Sequence, residues 1–248
     1  MFKKIGKYLL SAALVFTSVF AVAGCGKDDD GDDVVELTKA DYIEVFDSVT
    51  STYSSYLSAT QTAGLSYTLN DSDFVDANND IQAKRMGQAS MAMIYFVKNI
   101  YNNEEYTLKT GIDDCFVNDG HYIYDIKFST KYEADKSIIT VDVVADYRDS
   151  TPLQYFSFDI NYDFENDKLN SFSILGFSGT EENKATSSVR YYKFENNNLK
   201  VLSNEAADFE AFATSVIEKM DNILANTDEE NPEDYSTEYL DAMNAAMN

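Results

Sequence analysis

The chain has 248 residues, with 19 Lys and Arg against 43 Asp and Glu, a formal charge of −24. A balance this acidic argues against nucleic acid and against flat electrostatic contact with anionic lipid, since both need a basic surface. One His and two Cys are too few for an ordinary zinc site, and with no Trp the large side chains of any core are the 18 Tyr and 16 Phe.

The first 25 residues form one pattern. Lys3, Lys4 and Lys7 precede a mostly apolar, uncharged run from Tyr8 to Phe20, and Ala21, Ala23 and Gly24 supply small residues. The run is shorter than the roughly 20 residues a membrane span needs. Val22-Ala23-Gly24-Cys25, closing such a segment, resembles the lipobox of bacterial lipoproteins. That resemblance implies that residues 1–24 are a signal peptide. It also implies that Cys25 becomes the first residue of the mature chain and carries a diacylglyceryl group with palmitate-type acyl chains. The protein would then be held on the extracytoplasmic face of a bacterial membrane or at the cell surface. Two acyl chains suffice for stable anchoring where one is marginal. Loss of three Lys and no acid leaves 16 basic against 43 acidic residues, a charge of −27. With Cys25 acylated, Cys115 has no disulfide partner.

Residues 25–33 read as an acidic tether, because adjacent Asp residues repel and keep it extended. Residues 34–226 are expected to form a single α+β domain, and residues 227–248 an acidic linker and a short terminal helix. The first helix is expected over Lys39 to Thr62, opened by a capping box of Thr38 and Asp41. Its apolar stripe is Tyr42, Val45, Phe46, Val49, Tyr53, Tyr56 and Leu57. A polar loop follows over Asn70 to Asn79. Asp76-Ala77-Asn78-Asn79-Asp80 alternates oxygen donors as calcium loops do, but Ile81 and Gly87 stand where the Gly and closing Glu belong, so no metal is assigned. A second helix spans about Asp80 to Tyr101, with Met86, Ala89, Met93, Val97 and Ile100 on its stripe.

The period then changes to two. Segments around Tyr122–Thr130, Ile139–Tyr147 and Phe156–Phe164 alternate apolar and polar residues, as half-buried strands of an antiparallel meander do. A two-residue turn at Asp119-Gly120 would pair Cys115 with Tyr124, and the later turns would pair Phe128 with Val141 and Val141 with Ile160. In that register all apolar rows share one face. Leu169 to Phe177 breaks the alternation, which implies a bulge near Asn166-Asp167 or cover on both faces. A last hairpin, Ser188–Glu195 with Leu199–Leu202, makes about seven strands. A helix returns over Glu205 to Leu224. Asn231, Pro232, Glu233 and Asp234 are expected to open the terminal helix.

Helices, meander, helix define an α+β class similar to cystatin-like, NTF2-like or half-barrel architectures. This is a likeness of layout that carries no function. Cys115 is expected on the apolar face and His121 on the other, too far apart for a nucleophile pair. No phosphate loop and no Gly-x-Ser-x-Gly elbow is present, so no cofactor and no enzymatic activity is assigned. The expectation is a membrane-anchored, non-enzymatic binding module for an envelope component or protein. The alternative is a carrier of an apolar ligand in a sheet–helix cavity lined by Tyr124, Phe128, Val141, Phe158 and Ile160.

Overall fold

The computed structural model describes residues 36–62, 74–76, 81–148, 152–196, 198–203, 205–206, 208–226 and 232–247. The signal segment, Cys25, the tether, residues 77–80 of the carboxylate-rich loop and Asn231 lie outside the described residues. The elements are α1 (Lys39–Thr62), β1 (Phe74–Asp76), α2 (Ile81–Asn102), β2 (Asp113–Asn118), β3 (Ile123–Glu133), β4 (Ile138–Tyr147), β5 (Leu153–Asp163), β6 (Lys168–Gly179), β7 (Val189–Glu195), β8 (Asn198–Leu202), α3 (Phe209–Ala225), β9 (Glu233–Asp234) and α4 (Ser236–Met247). The class is α+β, a meander packed against helices. The nine strands run in the order β1-β8-β7-β6-β5-β4-β3-β2-β9, and every pairing is antiparallel except that of β9 with β2.

Local chemistry sets the element ends. The Thr38 N–H donates to Asp41 Oδ2 at 2.7 Å, and the Asp41 N–H faces Thr38 Oγ1 at 3.4 Å, so the capping box of α1 forms as expected. Hairpin registers differ from expectation by two residues each. Cys115 faces Ile126, Phe128 faces Val143 and Val141 faces Phe158. The β2–β3 loop is four residues long because the Asp119 carboxylate accepts from the His121 and Tyr122 N–H groups, which stabilises a wider turn. A shift of two preserves the period of the pleat, so each side chain still faces the expected side.

The irregular strand has both proposed features. Between the pairs Asn161–Ser171 and Tyr162–Leu169 one extra residue, Asn170, bulges from β6, at a site beyond Asn166-Asp167. It returns Leu169 to the face of Phe172 and Ile174. Both faces of β6 are also covered. Phe172 and Ile174 enter the larger core under α1, α2 and α4, while Leu175 and Phe177 enter a second core under α3.

The sheet is thus the middle of three layers, and α3 sits on the side opposite the other helices. Two sequence expectations change. The short β1 appears within the stretch read as a loop. Glu233-Asp234 forms a strand beside Cys115-Phe116 instead of a first helical turn, and the Tyr235 N–H donates to the Phe116 carbonyl at 2.9 Å. The helix begins only at Ser236. It docks on α2, with Tyr239 5.6 Å from the Phe96 ring and 5.3 Å from the Tyr124 ring.

Candidate functional site

All five residues named for an apolar pocket lie on the sheet face covered by α1, α2 and α4. Tyr124, Phe128, Val141, Phe158 and Ile160 are each no more than 3% exposed and belong to one core. Phe128 meets Phe96 edge-on at 6.3 Å, and Tyr124 meets Tyr147 at 4.2 Å. The fold brings these five together as packing partners of the helices, and none of them lines the open groove described next. Cys115 is buried, with its thiol donating to the Ile126 carbonyl at 3.3 Å, and His121 is exposed in the β2–β3 loop.

The groove lies on the same face, between the N-terminal half of α2 and strands β5–β7. It encloses about 550 Å³ and is lined by Met86, Ala89, Gln154, Phe156, Phe177, Ser178, Ser188, Arg190 and Tyr192. That volume falls in the range of small-molecule sites, roughly 300–1,000 Å³. Strand register builds the floor in three successive rows. Of the innermost row only Tyr192 lines the groove, its neighbours Phe158 and Ile174 being packed in the core. Phe156, Gly176 and Arg190 form the next, and Gln154 with Ser178 forms the outermost. Burial follows that order: Phe156 and Tyr192 are 3% exposed, Arg190 and Gln154 are half-buried and Ser178 is exposed.

Gly176 lies under the end of Met86: a Cβ there would stand 2.6 Å from the Met86 sulfur, so a larger residue would require that flexible side chain to shift. Ala89, expected on the buried stripe of α2, is exposed and forms part of the wall. The Arg190 guanidinium is fixed by backbone, since Nη1 donates to the Ser187 carbonyl at 2.6 Å and to the Val189 carbonyl at 2.8 Å. Among the described residues no carboxylate bonds to it. Two sequence signals pointed here: a Gly inside an apolar strand run and an Arg interrupting the apolar row of β7.

The opposite face carries a buried charge network that sequence reading also missed. Lys219 of α3 donates to Asp142 Oδ1 at 2.8 Å, and the Tyr155 hydroxyl donates to the same oxygen at 2.7 Å. Burial, then the Asp142 charge, holds the Tyr155 hydroxyl well above its ordinary pKa. Thr140 donates to Asp159 at 2.8 Å, and burial raises the Asp159 carboxyl despite that bond and the nearby Lys219. Lys127 lies between Asp114 at 3.5 Å and the Leu224 carbonyl at 3.3 Å. α3 has no basic residue in its last turn, so a sheet lysine supplies the cation that its negative end attracts. These contacts bolt α3 to the polar half of the sheet. Among the described residues no group of three or more His, Cys, Asp or Glu is placed to hold a metal ion.

Compared with known proteins, the chain matches no protein-family model, no curated protein and no solved structure.

Proposed function

We propose that this chain is a lipid-anchored, extracytoplasmic binding module that engages an envelope component through the groove between α2 and β5–β7. The carrying observation is the groove itself. A glycine floor, an exposed helix wall and a backbone-fixed arginine meet in about 550 Å³ beside a tightly packed core. The lipobox-like segment ending at Cys25 supports the anchoring. No helix among the described residues is long and apolar enough to cross a membrane.

A second reading, a carrier of an apolar ligand, is favoured by the lining residues Met86, Ala89, Phe156 and Tyr192. It would use this groove in place of the five core residues.

Two measurements test the proposal. In a bacterial host fed an alkyne fatty acid, the full chain should take up label and sediment with membranes. Cys25→Ser should lose the label and appear in the soluble extracytoplasmic fraction. Unlabelled, soluble wild-type protein would end the anchoring claim. Native mass spectrometry of the Cys25→Ser chain taken from cells should show an adduct that Ala89→Phe removes. An adduct indifferent to that substitution would place binding elsewhere.

A further inference from the structure

From the order of the groove's rows we infer that its ligand is a small amphiphile, with an apolar body against Phe156 and Tyr192 and an oxyanion, carboxylate or phosphate, on Arg190. This rests on the reading of the groove as a ligand site. The floor is graded from apolar to polar. Along the strands it passes from the buried Tyr192 ring, through the row holding Phe156 and Arg190, to Gln154 and Ser178 at the mouth. A ligand seated along it has only its inner part in apolar surroundings.

Covering the arginine also has a cost. A wholly apolar ligand would strip water from the outer edge of the guanidinium and give nothing back, and an unpaired buried charge is strongly disfavoured. An oxyanion at that point offsets the loss with charge-assisted, bidentate hydrogen bonds. The geometry is ready for it. The backbone carbonyls of Ser187 and Val189 hold Nη1, and the Nε–H and Nη2–H edge makes no bond among the described residues. In a chain with 43 acids and 19 bases, an arginine that faces a cavity and bonds to carbonyls is poised for an acid from outside.

The protein's overall negative charge does not overrule this. At physiological ionic strength charges separated by more than about 8 Å are largely screened, so a contact pair in the groove outweighs the distant acids. The net charge acts on approach, and modest salt should speed association of an acidic ligand.

The test is isothermal titration of the Cys25→Ser chain, which keeps the whole fold and lacks acyl groups that would compete. The probes are dodecanoate, dodecyl phosphate and methyl dodecanoate below their aggregation limits. One or both acids should bind about tenfold or more tightly than the ester, as expected for one added charged hydrogen-bond pair. The tighter of the two identifies the oxyanion. Arg190→Gln should bring the acids to the level of the ester, and Arg190→Lys should keep part of the difference. Ala89→Phe, at an exposed helix position, should weaken all three. Ester and acids binding alike, yet weakened by Ala89→Phe, would overturn the oxyanion inference and leave the groove standing. Failure of every probe to bind, or indifference to Ala89→Phe, would overturn the groove and this inference with it.

Discussion

At the scale of single residues the firmest contact is the one that ties α3 to the sheet. Lys219 and Asp142 are both about nine-tenths buried, and Tyr155 donates to the same carboxylate. Removing the cation leaves a buried carboxylate with one neutral donor. Lys219→Met should therefore cost about 3 kcal/mol, the usual penalty for breaking one side of a buried pair. Adding Asp142→Asn should recover most of it, because an uncharged acceptor for Tyr155 remains. Chemical denaturation of the single and double variants checks both steps. Asp159 responds in the other direction. Burial raises its carboxyl, so between the unfolded and the folded pKa the native state holds a proton that the unfolded chain has released. Stability from that proton is full below the unfolded pKa and is lost as pH rises through the folded one. Asp159→Asn keeps an acceptor for Thr140 without the charge. Its thermal midpoint at neutral pH should equal or exceed wild type, and any gain should shrink as pH falls through the raised value.

Among the elements, α4 is as much part of the fold as the helices that precede the sheet. Tyr235, Tyr239 and Ala242 are buried, and Asn99 of α2 donates to the Glu238 carbonyl at 3.0 Å. Tyr239→Ala removes a ring held between Phe96 and Tyr124 and should cost about 3 kcal/mol, measured by denaturant unfolding. How much of this could be read from the sequence differs by element. The stripe of α1 from Tyr42 to Tyr53 and the alternation of β3, β4 and β5 gave the right faces, because burial writes a period into the residues, while the side chains of Tyr56 and Leu57 lie outside the described residues. Loop lengths were off by two because turn width depends on side-chain bonds such as those of Asp119, which the alternation does not record. Three-residue β1 and two-residue β9 are too short to show any period. The pocket residues were identified as inward-facing from alternation, which is correct. Alternation does not say whether an inward face meets a helix or a space.

For the whole molecule, charge is the dominant quantity. With a formal −24, mutual repulsion works against compactness, and the described ion pairs offset only part of it. Resistance to urea should rise as sodium chloride is added up to about 0.15 M, where the screening length shortens to about 8 Å. A fall instead would mean that the ion pairs outweigh the repulsion.

The two ends of the sheet have a consequence in time. One outer strand is closed by β1, and the other is sealed at Cys115 and Phe116 by Glu233-Asp234, which come after every other strand of the sheet. Protein synthesis delivers a chain from its N-terminus, so the meander can form while β2 still has a bare flank of N–H and C=O groups. A bare flank pairs readily with another copy. A nascent or clipped molecule ending before Glu233 would be a template for strand-to-strand association more than a weakened monomer.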